Sequence, residues 1–233
     1  MTVMIPHKIK PKETMIIMGN KIYLSPSNQD GNLYAYGNTN ECDQCNRIAD
    51  AAKEALERCG FTVRKAEQGQ NMNVSINESN SWGADLHIPI HTNAGGGNGT
   101  MCMVFARTPE NMKFAEPIYD AVQAVTPGKI DYGIREYPQL AEINSTRAVA
   151  VYIEADFHDN AYIAKWLIEN TKTVGEAIAK GICKAYDVPY KEYKEPFYRV
   201  QVGAYNSRKS AEALLAKVKA AGFTNAFITE SCK

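Results

Sequence analysis

Apolar and polar positions along the 233-residue chain alternate between two rhythms. "KIYLS" (21–25) is a short β-type run that stops at Pro26, and a polar, Asn- and Gly-rich loop follows to Asn38. Next, Cys45, Ile48, Ala49, Ala52, Leu56 and Cys59 recur at helical spacing, which predicts a helix capped by Thr39 and closed by Gly60. "FTVRKA" (61–66) predicts a strand, "NVSINESNSWG" (73–83) a short helix, and "ADLHIPIHTNA" (84–94) and "GTMCMVFA" (99–106) two more strands. "PENMKFAEPIYDAVQAVT" (109–126) is helical, with Pro109 in its first turn, where the missing N–H is not needed. "LAEIN" (140–144) and "AVAVYIEADF" (148–157) read as strands, and one or two helices close the region up to Val188. The second of those strands is almost wholly apolar, so it belongs at the centre of a sheet. Strands alternating with helices predict an α/β fold: a twisted, mostly parallel sheet with helices on both faces.

The composition changes at 188–196, a short linker with two prolines and several charges. Beyond it, "YRVQVGAY", "SRKSAEALLAKVKAAG" and "FTNAFIT" predict one small C-terminal βαβ module over 197–233. A unit of this size buries little surface alone and needs either the main domain or a second copy to pack against. At the other end, residues 1–18 are basic, carry four methionines and show no period. They are expected to be a disordered or mis-annotated extension, with Met18 or Met15 as the start, which leaves 19–187 as the main domain.

Lysine plus arginine and aspartate plus glutamate both number 26, so no net field favours nucleic acid or an anionic membrane as partner. No apolar run reaches the length of a membrane span, and the N-terminus lacks the features of a secretory signal. The six cysteines are scattered, and reduced thiols are expected of a protein made in the cytoplasm. Cys42 and Cys45 form one isolated C-x-x-C pair on a helix, read as ordinary helix positions.

The candidate chemistry centres on "LHIPIHTNAGGGNGT" (86–100). Pro89 and the alternation of Leu86, Ile88 and Ile90 with the two histidines favour a strand. His87 and His91 are then on one face but about 13 Å apart, too far to share an ion that binds nitrogen at about 2 Å. His91, at the strand end where sites form in open α/β sheets, is the candidate ligand, and His87 is a structural histidine. Glu154 sits near the end of the apolar central strand. Burying it costs several kcal/mol unless it finds a proton, a cation or donors; it is either a general acid/base or an acid paired with Arg147 or Arg135.

Several of these segments resemble a known family. "IHTNAGG" (90–96), "NECDQCNRIADAAKEALERCGFTV" (40–63), "VYIEADFHDN" (151–160) and "IYLSPSNQ" (22–29) stand, in order, where the zinc-dependent N-acetylmuramoyl-L-alanine amidases of the type 3 family have their motifs. The resemblance covers about residues 21–186 and implies a peptidoglycan hydrolase. Zn²⁺ would activate water to cleave the amide between N-acetylmuramic acid and L-alanine of the stem peptide. Position by position it implies Glu41 and His91 as zinc ligands and Glu154 as the catalytic glutamate, with Asn28, Asn93 and His158 placed for substrate. The family's first zinc histidine is replaced here by Asn28. The third bond then comes from Gln29, Asp30 or His158, or the metal is held by two protein ligands and water, or the site is degraded. The alternative function is non-catalytic peptidoglycan binding on an amidase scaffold.

The tail (198–223) resembles half of the sporulation-related (SPOR) repeat, which binds peptidoglycan glycan strands. The resemblance implies Tyr198, Gln201 and Tyr205 as glycan-binding residues and self-association as a way to complete the sheet. Without a signal peptide, such an enzyme is expected to act on the wall after release, as a phage or prophage lysin or after mother-cell lysis.

Overall fold

The computed structural model describes residues 20–195 and 198–230; the expected extension at 1–18 lies outside them. In chain order the elements are β1 (Lys21–Pro26), α1 (Glu41–Cys59), β2 (Thr62–Lys65), α2 (Met72–Trp82), β3 (Leu86–Asn93), β4 (Met101–Val104) and α3 (Pro109–Gln123). They continue with β5 (Ile134–Glu136), α4 (Ala141–Asn144), β6 (Val149–Ala150), β7 (Tyr152–Phe157), α5 (Ala161–Glu169), α6 (Thr171–Ala185) and α7 (Arg208–Ala220). The chain divides into two compact units between Tyr193 and Lys194.

The first unit is an α/β fold. Its sheet runs β2-β1-β3-β7-β4-β5, with the short β6 paired to β3. Every pairing is parallel except β4 against β7. β7 is central, as its apolar run predicts. Alternation along the strands sorts the two faces. Ile22, Leu24, Ile88, Ile90 and Ile153 are fully buried in the main core, with Ile48 of α1 and Ile178 of α6. Each such aliphatic side chain contributes roughly 1.5–3 kcal/mol by leaving water. Tyr23, Ser25, His87, His91, Tyr152 and Glu154 occupy the intervening positions and so share the opposite face. Toward the N-terminal end of that face α2 and α4 meet His87 through Ser79 and Glu142.

Three expectations are corrected. The cap of α1 is Asn40, whose side chain accepts from Asp43 N, not Thr39; Thr39 instead accepts from Gln44 Nε2 at 2.9 Å. "LAEIN" is not a strand but holds the one-turn helix α4. Leu140 and Ile143, three apart, turn the same way onto Met103 and Ala150, a helical rather than an alternating match. The run 148–157 is broken at Val151, whose N–H donates to His87 O at 3.1 Å, into β6 and β7. The three-residue β5 has too short a pattern to be seen in the sequence.

The expected linker 188–196 is partly structural. Val188 is buried in the core. Arg58 donates through Nε to Lys191 O at 2.8 Å and through Nη2 to Tyr190 at 3.2 Å, and Lys172 lies 3.6 Å from the Tyr193 ring centroid. The chain is thus strapped to α1 and α6 up to the unit boundary.

In the second unit only α7 forms a regular element among the described residues, and it buries none of its side chains. The two expected strands flanking it are absent. A strand needs a neighbour to satisfy its N–H and C=O groups, and the flanking segments do not pair with each other. Gly203 lies close to the helix, where an added Cβ would meet Leu214 Cδ2 at 2.7 Å.

Candidate functional site

The C-terminal ends of β1, β3 and β7 meet the start of α1 at one rim of the sheet. Four backbone bonds fold the 27–40 loop onto that rim: Ser27 N to Ile90 O (2.9 Å), Cys42 N to Gln29 O (3.3 Å), Glu41 N to Asn32 O (2.9 Å) and Ala35 N to His158 O (2.9 Å). Glu41, the first residue of α1, is 1% exposed; a helix N-terminus is where a buried carboxylate is best tolerated.

Glu41 Oε1 lies 2.8 Å from His91 Nδ1 and accepts from Thr92 N at 3.4 Å. Its other oxygen accepts from Asn32 Nδ2 at 2.8 Å. Gln29 Nε2 is 3.4 Å from the same His91 Nδ1, and Asn32 Nδ2 also donates to Gln29 Oε1 at 2.6 Å. Tyr152 stacks on the His91 ring, centroids 4.5 Å apart. Across the β3–β7 ladder His91 is the register partner of Glu154, so both side chains leave the same face of the sheet. Glu154 Oε2 is buried without a hydrogen-bond partner, and no ion pair to Arg147 or Arg135 forms among the described residues.

Burial raises the Glu154 carboxyl to about 7; the Glu41 charge adds to the rise and His91 opposes it. Burial would also raise Glu41, but His91, Asn32 and Ser27 outweigh it and hold the carboxyl below its ordinary 4.5. Burial would lower His91, yet the bond to Glu41 and the charges of Glu154, Glu41 and Glu142 lift it above 6.5. In metal-free protein the stabilisation from the Glu41–His91 pair is therefore expected to be complete between about pH 4.5 and 6.5. It is lost above that window as His91 releases its proton, and below it as Glu41 gains one. Denaturant titrations of the parent and of Glu41→Gln from pH 3 to 9 measure this as a difference that peaks inside the window.

The other sequence candidates are placed differently. His87 is fully buried, bonded to Ser79 Oγ at 3.0 Å and to Glu142 Oε1 at 3.2 Å and stacked on Tyr23. Glu142 also accepts from Ser25 Oγ. This is a closed structural network, separate from His91. His158, expected at substrate or metal, is 4% exposed. It bonds to Thr92 Oγ1 at 2.9 Å and stacks on Tyr34, so it braces Thr92 behind Glu41. Asn28 is exposed and makes no side-chain hydrogen bond among the described residues, and Asp30 is likewise exposed; Gln29 is the loop residue at the ring. Asn93 ends β3, with its Oδ1 accepting from Ala94 N at 2.8 Å. Cys42 and Cys45 are free, buried helix residues. In the second unit Tyr198 and Tyr205 are 86% and 52% exposed, and Gln201 Nε2 donates to Gly203 O at 3.4 Å. The sequence reading missed Asn32, Thr92 and Tyr152. They support the site by bonds and stacking across the chain, for which no local spacing rule exists.

The glycine-rich loop after β3 is fixed by β7 and its continuation. Asp159 Oδ2 accepts from Gly95 N at 2.7 Å and Gly96 N at 2.8 Å. Asp156 takes Gly99 N at 2.7 Å and Gly128 N at 2.8 Å. A Cβ on Gly128 would meet Gly99 N at 2.2 Å and Asp156 Oδ2 at 2.6 Å, so Gly128→Ala is expected to lower the melting temperature by several degrees, measured by thermal denaturation.

Among the described residues no trio of histidine, cysteine, aspartate and glutamate is arranged to hold a metal. The donors present still suit a divalent cation: an imidazole nitrogen against a carboxylate oxygen, and a second carboxylate across the ladder with an orphaned buried oxygen. Structural neighbours share this fold. The catalytic domain of CwlV from Bacillus (Paenibacillus) polymyxa var. colistinus superposes with a TM-score of 0.66 at 19% identity, covering 73% of this chain and 99% of that one. The N-acetylmuramoyl-L-alanine amidase of Clostridium difficile 630 gives 0.66 at 18%, covering 72% and 97%. In sequence, the chain is 26% identical over 175 residues to the N-acetylmuramoyl-L-alanine amidase CwlM of Bacillus licheniformis, covering 69% of this chain and 63% of that protein's length. It is 25% identical over 216 residues to the sporulation-specific N-acetylmuramoyl-L-alanine amidase of Bacillus subtilis, covering 87% and 82%. The N-acetylmuramoyl-L-alanine amidase family profile matches residues 22–184, and a SPOR domain profile matches 168–230. The SPOR match starts inside α5 and runs through α6, both in the first unit.

Proposed function

The chain belongs to the N-acetylmuramoyl-L-alanine amidase family, and from that membership and the site we propose that it hydrolyses the amide between N-acetylmuramic acid and L-alanine in peptidoglycan, with zinc as cofactor. His91 and Glu41 would hold the ion. When bound, zinc polarises a carbonyl and lowers the pKa of water toward about 7. The chain's own residues do the rest. Glu154 takes the proton of the attacking water and returns it to the nitrogen of the leaving L-alanine. The buried Oε2 of Glu154, without a hydrogen-bond partner among the described residues, is open to take and return that proton. Thr92 and Asn32 fix the Glu41 carboxylate from behind, and Tyr152 fixes the plane of the His91 ring.

The observation that carries this reading is the register pairing of His91 with Glu154, together with the buried, unpartnered Glu154 Oε2. Incubating purified cell walls with zinc-loaded protein tests it: new N-terminal L-alanine is expected, and a chelator should abolish it. Walls that bind the protein but yield no N-terminal alanine would leave a binding protein on an amidase scaffold.

We also propose that the second unit binds glycan strands as a pair of copies. Val200, Val202, Phe223 and Phe227 are 65–91% exposed on the segments flanking a single helix that buries nothing. Those segments carry the alternation of strands, and among the described residues neither joins a ladder. A second copy supplies the missing edge and would present Tyr198, Gln201 and Tyr205 on a joint sheet. Light scattering of the full chain is expected to give a dimer, and Val200→Lys with Val202→Lys a monomer with weaker wall binding. A monomeric parent would end this part of the reading.

A further inference from the structure

We propose that Gln29 is the third protein ligand of the metal, through its side-chain carbonyl oxygen. This rests on the zinc reading above. Zinc sites take three or four protein donors, and His91 and Glu41 supply two. Asn28 stands where the family's histidine is expected, but it makes no side-chain hydrogen bond among the described residues, whereas the equally exposed Gln29 is bonded into the site. The amide that reaches the ring is one residue on, with Gln29 Nε2 at 3.4 Å from His91 Nδ1. Two donors bound tetrahedrally to one zinc at about 2.1 Å are about 3.4 Å apart, so Gln29 already stands at ligand spacing from His91. Glu41 Oε1 and His91 Nδ1, 2.8 Å apart as a hydrogen-bonded pair, would open by roughly half an ångström to admit an ion.

The position of Gln29 is imposed by its surroundings. Its backbone N–H donates to Ser27 Oγ at 3.2 Å, and its C=O accepts from Cys42 N at 3.3 Å, which ties the residue to the first turn of α1 beside Glu41. Asn32 Nδ2 holds Gln29 Oε1 at 2.6 Å and Glu41 Oε2 at 2.8 Å, so one amide gathers oxygens from both prospective ligands. Partners of this kind orient metal ligands and are felt in affinity. A half-turn about the last side-chain bond of Gln29 exchanges its oxygen and nitrogen. The carbonyl oxygen then stands at the 3.4 Å position; the exchange gives up the Asn32 bond to Gln29 Oε1 and turns two amide N–H groups toward each other, so Asn32 must shift while it holds Glu41. A neutral amide oxygen in place of a neutral imidazole leaves the charge of the site unchanged. It is a harder and weaker donor toward zinc.

Zinc titration against a competing chelator, with zinc X-ray absorption of the loaded protein, tests the assignment. Gln29→Leu is expected to weaken zinc binding by about tenfold or more, with the metal-free melting temperature unchanged. Gln29→His is expected to tighten it by about tenfold and to raise the imidazole count at the metal from one to two. Unchanged affinity in Gln29→Leu, with the parent binding one zinc, overturns the assignment and leaves the zinc reading intact. Weakened binding in Gln29→Leu with a single imidazole in Gln29→His also overturns it, making Gln29 a positioning residue. A parent that binds no zinc removes the zinc reading, and this assignment with it.

Discussion

Replacing Glu154 by glutamine is expected to lower cell-wall amide hydrolysis by about 10²–10⁴-fold, the usual contribution of a positioned acid/base, while zinc stoichiometry stays at the parental value. The substitution keeps shape and removes only the proton chemistry. A second readout follows from the raised carboxyl. In metal-free protein the folded state holds the Glu154 proton up to about pH 7, whereas the unfolded chain releases it near its ordinary 4.5. The folded state therefore binds more protons between these values, and stability falls as pH rises through them. The loss is on the order of 3 kcal/mol and is complete above about 7. Glu154→Gln should lack this decline. Urea denaturation at pH 4, 6 and 8 measures it alongside amine release from walls; undiminished hydrolysis by the variant would remove Glu154 from the chemistry.

His91→Ala is expected to abolish zinc binding and to destabilise the metal-free fold by about 3–5 kcal/mol at pH 6, the usual result of stripping a buried charge of its partner. Glu41, 1% exposed in the parent, would be left with Asn32, Thr92 and Ser27 as donors. Deprived of His91, the main influence holding its carboxyl down, Glu41 should take up a proton in the folded variant as pH falls. The deficit against the parent should then shrink toward pH 4. Calorimetry and zinc analysis of the same samples check both parts. Stoichiometric zinc in the variant would place the metal elsewhere.

Much of this arrangement is legible in the sequence because it obeys local periods. The alternation in "LHIPIHTN" puts His87 and His91 on one face, and strand rise alone separates them into two networks. The apolar run ending in Glu154 predicts a central strand, and β7 is central. Other features depend on contacts that no period encodes. That Glu154 stands beside His91 is a matter of register between strands 63 residues apart in sequence. The loop between β1 and α1 has no repeat, so whether Asn28 or Gln29 faces the ring depends on four backbone bonds to distant strands and helix. α4 is a single turn, too short for helical spacing to outweigh apparent alternation. The segments flanking α7 alternate as strands would, but a strand is a relation between two segments, and among the described residues neither joins a ladder.

Asp156 and Asp159 tie the loop after β3 to the far end of β7, the strand that also carries Glu154. The glycine-rich loop and Glu154, the proposed proton carrier, are thereby anchored on one strand. A bulky murein fragment entering there gains no room from this side. Discrimination between stem peptides should accordingly be read in KM, as shape admitted or refused, with kcat nearly constant among the fragments that fit.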